Sequence, residues 1–329
     1  MKHKVLMMDR VSPKMEMLSR EYVNEQTEII FCKNDRDREE HIATADVLVT
    51  FTNGISKDWI EKAERCRFIQ KLGAGVNNID IKEASKRGIP VANTVGLNAT
   101  SVAEHTVMLM LATYKHLVQA HTAIAKESRW LKTELRDRSY ELSYKKIGLI
   151  GFGNIGKKVS QLLSGFQCDV SYFDILRLTE KEEEELGISY KTVDELVTSC
   201  DVISLHVPLT EKTRHLIDEK KLAMMKPEAI LVNTCRGGIV DEHALYQALK
   251  SGRLTGAGLD VFENEPIDQS HLLTGLPNVI VTPHIGGGTN EAMEAVASEA
   301  YYNINAFLYE GALGDVKNVV NREAVGSLR

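Results

Sequence analysis

Short runs of branched apolar residues alternate with amphipathic stretches from one end of the chain to the other. In the first hundred residues the runs 5–9, 28–32, 46–51, 67–72 and 90–93 predict strands, and 14–23, 56–66 and 81–87 carry apolar positions at helical spacing. Ser56 ahead of Asp58, and Asp80 ahead of Ile81-Lys82-Glu83, read as N-terminal caps, while Gly88 followed by Pro90 reads as a helix stop. A long helical pattern spans 99–127, opened by Asn98-Ala99-Thr100-Ser101. From Lys146 the alternation resumes, with strands predicted at 147–150, 169–174, 201–207, 229–233, 258–262 and 279–282. These later runs are nearly continuous in Val, Ile and Leu, as strands covered on both faces must be. A last helix, 290–309, leads toward 316–320 and is expected to return to the first block. The pattern is that of an α/β protein with parallel sheets and helices on both faces.

At 329 residues the chain is about twice the ~150-residue domain size, which favours two domains. Apolar residues make up 43% and charged residues 26%, well outside the disordered range. The formal charge of −6, with no basic block, gives no footprint for nucleic acid or an anionic membrane. The longest clearly apolar stretch, 107–112, is far short of the ~20 residues of a spanning helix. Met1-Lys2-His3-Lys4 leads into only four apolar residues before Asp9, so no secretory segment is expected and the cytoplasm is the expected location. Five cysteines, odd in number and never spaced C-x-x-C, predict reduced thiols and no metal. Neither H-E-x-x-H nor a P-loop occurs. The acidic run 180–185 is expected to be a solvated helix face.

Gly151-Phe152-Gly153-Asn154-Ile155-Gly156 fits G-x-G-x-x-G, and its context gives it weight. An apolar strand feeds into it, and Val159, Leu162, Leu163 and Phe166 follow at helical spacing. Asp174 closes the next strand eighteen residues beyond Gly156, where a ribose-binding acid is expected. Gly151 permits the tight turn, Gly153 lets the backbone approach a pyrophosphate, and Gly156 lets the helix pack onto its strand. Phosphate charge then meets unpaired N–H groups at the positive helix end. Asp174 favours NAD, because a carboxylate accepts from the ribose 2′-OH and repels a 2′-phosphate; Arg177, three residues on, could soften that preference.

Three charged or titratable residues fall at the carboxyl ends of later strands, where open α/β sheets bind ligands: Arg236, Glu265 and His284. Interconversion of an alcohol and a carbonyl needs a proton donor, for which histidine is suited. Arginine can hold a carboxylate or polarise a carbonyl, and a carboxylate beside the histidine fixes its tautomer. Taken singly, Arg236 and Glu265 read as surface charges and His284 as a structural histidine; their common placement at strand ends weighs against coincidence, and order along the chain leaves both readings open.

The motifs L-G-A-G-V-N-N-I-D (72–80), S-V-A-E-H-T-V-M-L (101–109), the glycine fingerprint, H-V-P-L-T (206–210), N-T-C-R-G-G-I-V-D-E-H-A-L (233–245), G-A-G-L-D-V-F-E-N-E-P (256–266) and T-P-H-I-G (282–286) together resemble the D-isomer-specific 2-hydroxyacid dehydrogenases over nearly the whole chain. The resemblance implies two Rossmann-like or flavodoxin-like domains: a discontinuous substrate domain, 1–98 plus 287–329, and an inserted NAD-binding domain, 99–286. The active site would lie in the cleft between them, with closure excluding water. It also implies catalytic roles for Arg236 as substrate anchor, Glu265 as paired acid and His284 as proton donor or acceptor. Backbone N–H groups around Gly73, Ala74, Gly75 and Val76 would hold the substrate carboxylate, alongside Arg236 and His284. Asn154, Ile155, Asp174, Val207, Thr234, Cys235 and Asp260 match positions that contact NAD, as do Pro208, Arg236, His284 and Gly286. Asp260 would sit near the nicotinamide carboxamide and Thr106 would border the cofactor. His206 fits a loop-shaping role better than proton transfer. Similar proteins are homodimers through the cofactor domain, with 99–127 and the following arm contributing.

Two small departures stand out: Cys235 where serine or alanine is more usual, and Ser143-Tyr144 in place of a serine–glycine turn. The resemblance leaves alternatives. NAD-sensing corepressors share the fold, and phosphite dehydrogenase shares the Arg, Glu and His pattern. Formate dehydrogenases carry glutamine at the position of Glu265. Glyoxylate, hydroxypyruvate, pyruvate-like acids and 3-phosphohydroxypyruvate present the same 2-oxo-carboxylate end, and Lys71 and Arg129 are the candidates for binding a phosphate.

Overall fold

Buried apolar strands alternating with capped helices produce two sheets whose named strands all pair in parallel. The computed structural model describes residues 2–310 and 316–323. The chain divides into two units, one of the described residues up to Asn98 with those from Gly288 onward, the other Ala99–Gly287. Of the C-terminal segment read from the sequence, 311–315 and 324–329 lie outside the described residues.

The first unit carries β1 (His3–Met7), β2 (Thr27–Phe31), β3 (Val47–Thr50), β4 (Phe68–Lys71) and β5 (Val91–Ala92), ordered β2-β1-β3-β4-β5. This is the flavodoxin-like order, with its crossover between β1 and β3. The central strands β3 and β4 are buried at every position, which is why they contain no alternation of polar residues. Ser12 caps the helix Pro13–Tyr22 by accepting from Met15 N, and proline at its first position needs no N–H partner. That helix shares one core cluster with Val296, Ala297, Ala300, Tyr301 and Ile304 of the helix Asn290–Asn305. The expected cap at Asp80 forms, accepting from Glu83 N at 2.9 Å, whereas Ser56 makes no side-chain cap bond. The segment from Val316 runs beside β5: Val319 bridges antiparallel to Ala92, and Val320 N donates to Val91 O at 2.8 Å.

The second unit carries β6 (Lys146–Ile150), β7 (Asp169–Phe173), β8 (Ser189–Tyr190), β9 (Val202–Leu205), β10 (Ile230–Asn233), β11 (Gly256–Leu259) and β12 (Val279–Val281), ordered β12-β11-β10-β9-β6-β7-β8. The order reverses at β6, which pairs with β7 on one side and β9 on the other. Ligands of doubly wound sheets bind beyond the carboxyl ends of the strands at such a switch point. Gly151 and His206 follow β6 and β9 there.

The long helical pattern 99–127 is two helices, Ala99–Tyr114 and Leu117–Ala125. His116 breaks it in the left-handed region at φ 49°, nearly buried, with Nε2 3.1 Å from Arg138 O. No glycine or proline announces this break; a tertiary hydrogen bond holds it. The acidic run is the exposed helix face expected at 180–182, 184 and 185, with one exception at Glu183. It forms the helix Glu180–Leu186, opened by a Thr179–Glu182 capping box, but Glu183 is buried against Tyr172 and Arg177 instead of facing water. No helix among the described residues is long and apolar enough to cross a membrane.

Candidate active site

The glycine turn is fixed by close approach. Gly151 has φ +99°, and a Cβ there would stand 2.4 Å from His206 O; one on Gly156 would stand 2.3 Å from Gly151 O. Any side chain at either position would push the strand, turn and helix apart. At Gly153, by contrast, a Cβ would meet nothing within 4 Å, leaving open space over the turn. Gly153 opens the helix Asn154–Ser164 without a side-chain cap, and the N–H groups of Asn154, Ile155 and Gly156 have no partner among the described residues. Uncapped donors, the positive end of an eleven-residue helix and open space above it fit a dinucleotide pyrophosphate. Asp174 ties β7 to this turn: Oδ2 accepts from Phe152 N at 2.7 Å and Oδ1 from Leu176 N at 3.0 Å.

Beyond β9, the backbone N–H of His206 donates to Ile150 O at 2.7 Å, joining the two strands of the switch point. Its ring Nε2 meets Ser204 Oγ at 3.0 Å and Nδ1 is buried without a partner among the described residues. Burial pushes the imidazole down to about 3, so it stays neutral near pH 7. Val207 is half-buried and Pro208 exposed beside it. Thr106 is fully buried; its hydroxyl donates to Val102 O at 2.7 Å and meets Thr234 Oγ1 at 2.9 Å. With that hydrogen committed, Thr234 is the donor of the pair, and Thr106 braces it from behind. Burial raises the Cys235 thiol to about 11, and Sγ lies 3.0 Å from Asn233 Oδ1. It remains a thiol and a weak nucleophile at neutral pH.

The loop after β10 carries Arg236, half-buried, on a backbone clamped by one side chain. Asn233 Nδ2 donates to Arg236 O at 2.8 Å while its Oδ1 accepts from Cys235 N at 3.1 Å. Arg236 Nη1 turns back to Cys235 O. Gly237 then lies against the next loop so closely that a Cβ would fall 1.8 Å from Phe262 C. This crossing couples the Arg236 loop to the one that carries Glu265.

Glu265 and His284 meet directly. His284 Nδ1 donates to Glu265 Oε2 at 2.7 Å, and Glu265 Oε1 accepts from Phe262 N at 2.9 Å. Burial raises the Glu265 carboxyl, but the bonds from His284 and Phe262 N–H, with the charges of His284 and Arg236, outweigh it and hold the group below its usual range. The imidazole thus has a fixed tautomer with Nδ1 turned to the acid. Its Nε2 has no partner among the described residues, and the side chain is 44% exposed. His284 sits at φ +53°, a strained conformation for a residue with a Cβ.

Asp260 holds that turn in place. Its buried carboxylate accepts from Thr282 Oγ1 at 2.6 Å, Ile285 N at 2.9 Å and Gly286 N at 2.8 Å, with His105 Nε2 at 3.4 Å. Burial raises the Asp260 carboxyl, yet His105, Thr282 and the two N–H groups pull it below its ordinary 3.8. A depressed acid adds stability that is present above its unfolded value and lost as pH falls through the folded one. Asp260→Asn is therefore expected to cost about 1–3 kcal/mol at pH 7, with the Tm gap to the parent protein narrowing below pH 3.8 in thermal scans.

In the first unit, the loop after β4 contains Gly73–Val76. Gly73 has φ +122°, but its N–H donates to Thr94 Oγ1 at 2.7 Å, so it offers no free donor. Asn93 Nδ2 donates to Ala74 O at 2.6 Å, turning that carbonyl inward. The N–H groups of Ala74, Gly75 and Val76 have no partner among the described residues. Lys71 is buried with its ammonium on Phe51 O, and Arg129 pairs with Glu127 at 3.1 Å, so neither stands out as a phosphate anchor. Among the described residues no group of His, Cys, Asp or Glu could hold a metal ion, and all five cysteines are free.

Sequence reasoning missed Asn233, Gly237 and His105. Glycine after Arg236 was a signal for close backbone approach, but its partner, 25 residues away, was not readable.

The family model described as "D-isomer specific 2-hydroxyacid dehydrogenase, NAD binding domain" matches residues 107–286. The chain is 41% identical over 295 residues to glyoxylate reductase of Thermococcus litoralis, covering 88% of this chain and 87% of that one. It is 43% identical over 261 residues to hydroxypyruvate reductase of Thermotoga maritima, covering 78% and 83%. The solved D-lactate dehydrogenase of Aquifex aeolicus, complexed with NAD and lactic acid, superposes with TM-score 0.84 at 28% identity, covering 98% of this chain and 99% of that one. With the doubly wound sheet, the open glycine turn and the His284–Glu265 pair, these matches place the chain in the D-isomer specific 2-hydroxyacid dehydrogenase family, as an NAD-dependent oxidoreductase of 2-hydroxy and 2-oxo acids.

Proposed function

We propose that this chain reduces a small, unphosphorylated 2-oxo acid, of the glyoxylate or hydroxypyruvate kind, to the 2-hydroxy acid, of D configuration where C2 becomes a stereocentre, with His284 as the proton donor. The observation that carries this reading is the 2.7 Å bond from His284 Nδ1 to Glu265, with Nε2 left open. Bound NADH supplies the hydride that C2 of the substrate receives. His284 gives the Nε2 proton to the developing alkoxide, and Glu265 stabilises the charged imidazole beforehand and its Nδ1–H tautomer afterwards. Arg236 binds the substrate's carboxylate or carbonyl oxygen through its planar fork. In the first unit, the N–H groups of Ala74, Gly75 and Val76, without partners among the described residues, are of the kind that suits an anion. Asn154, Ile155 and Gly156 would hold the pyrophosphate and Asp174 the ribose, with Val207, Pro208, Thr234, Cys235, Asp260 and Gly286 lining the rest. In the oxidative direction His284 takes the proton back.

Glu265 in place of glutamine speaks against formate oxidation, and the named relatives favour turnover over an NAD-sensing binding protein or phosphite oxidation. The test is NADH oxidation against a panel of 2-oxo acids, with formate, phosphite and D-2-hydroxy acids supplied with NAD. Fast NADH-dependent reduction of one 2-oxo acid is expected. Tight NADH binding without turnover on any of them would replace the enzyme with a sensor.

We also infer a homodimer in the cytoplasm. Met108, Leu117, Val118, Ile124 and Trp130 leave an apolar surface on the second unit, 45–75% exposed, and unpaired thiols suit a reducing compartment. Light scattering should give twice the 36.7 kDa chain mass.

A further inference from the structure

Arg177 lies three residues beyond Asp174, and the chain between them curls around the acid through the Leu176 N–Asp174 Oδ1 bond. A guanidinium this close to a ribose-binding acid is the group that NADP-using sheets employ for the 2′-phosphate. Here it is turned away. Its Nε and Nη2 grip Glu183 Oε1 and Oε2 at 2.9 and 3.1 Å, and its Cζ lies 4.9 Å from the Tyr190 ring centroid. The fork-on-carboxylate arrangement is the strongest an arginine makes with a single acid.

Glu183 is itself held. Tyr172 is fully buried, donates its hydroxyl to Glu183 Oε1 at 2.9 Å and accepts from Leu178 N at 2.9 Å. The Thr179 capping box fixes the start of the same helix. Glu183 thus comes from a rigid turn, and it is 11% exposed while the arginine it holds is 53% exposed. Ile175 and Leu176, between Asp174 and Arg177, are 89% and 79% exposed, so their side chains add no packing that would hold Arg177 in place.

We propose that Glu183 is a specificity-determining residue, which keeps Arg177 off the ribose and thereby reinforces the preference of Asp174 for NAD over NADP. The proposal rests on the NAD-binding reading of the second unit. Releasing Arg177 gives a 2′-phosphate a bidentate partner, while Asp174 continues to repel it. Discrimination against NADPH should therefore narrow without inverting.

The experiment measures Kd for NADH and NADPH by nicotinamide fluorescence, with Tm recorded alongside. It compares the parent chain, Glu183→Gln, Glu183→Asp and the double variant Glu183→Gln/Arg177→Leu. Gln keeps an acceptor for Tyr172 and removes the charge that binds Arg177; Asp keeps the charge on a shorter stem. Expected is a fall in the NADPH Kd of about tenfold for Glu183→Gln, a smaller fall for Glu183→Asp, and reversal in the double variant. The NADH Kd should stay within about threefold throughout. An unchanged NADPH Kd in both single variants, or equal weakening of both cofactors with a lowered Tm, would overturn the proposal and make the latch merely structural. A parent chain that binds neither cofactor would overturn the NAD reading itself, and the proposal with it.

Discussion

His284→Asn is expected to lower kcat by about 10²–10⁴-fold, the usual worth of a positioned general acid, while NADH binds as before. Asparagine is the informative substitution because of the backbone. His284 sits at φ +53°, and asparagine adopts the left-handed region more readily than other residues with a Cβ. The turn under it is held by Asp260 through Thr282, Ile285 and Gly286 and does not depend on the imidazole. A fall in kcat without a fall in Tm therefore reports on the lost proton and not on a collapsed loop. Stopped-flow hydride transfer and a fluorescence titration of NADH separate the two effects. Near-normal turnover in this variant would remove His284 from the chemistry.

Gly237→Ala should damage both stability and rate, though Gly237 has no side chain to contribute. Its Cβ would stand 1.8 Å from Phe262 C, 2.1 Å from Phe262 O and 2.3 Å from Glu263 N, all backbone atoms that no rotamer change can move aside. The Arg236 loop and the Phe262–Glu265 loop must then separate. Overpacking of this kind costs about 1–3 kcal/mol, which at this unit's size corresponds to a Tm fall of about 2–4 °C per kcal/mol. Separation also moves Arg236 relative to the His284–Glu265 pair, and a displacement of ~1 Å can cost about 100-fold in rate. The expected signature is a kcat/KM loss of that order together with a lowered Tm. An alanine variant with parent-like Tm and kcat/KM would show that the loops are not coupled through this crossing.

The α/β class and the parallel sheets were legible because both depend on local pattern. Runs such as 229–232 are apolar throughout because β10 is buried along its length, and G-x-G-x-x-G is readable because its glycines answer to backbone sterics. What escaped the sequence depends on partners distant in the chain. His116 breaks a helix whose own residues favour continuing it, and the reason is a carbonyl at Arg138. The acidic run is solvated as its charge pattern says, except at Glu183, because nothing near it in sequence shows that Tyr172 reaches that one residue from a buried strand. Gly73 looked like an anion donor, but its N–H is taken by Thr94 across the end of the sheet. Arg236, Glu265 and His284 stood at strand ends in the sequence; that the last two share a hydrogen bond, and that Asn233 clamps the loop of the first, needed coordinates.

The most direct measurement is the configuration of the product formed from hydroxypyruvate and NADH, followed by chiral chromatography as NADH absorbance falls. The account predicts stoichiometric NADH consumption with D-glycerate as the sole enantiomer, and loss of both signals in His284→Asn. L-glycerate, or no NADH consumption with hydroxypyruvate, glyoxylate or any other 2-oxo acid on the panel, would contradict it.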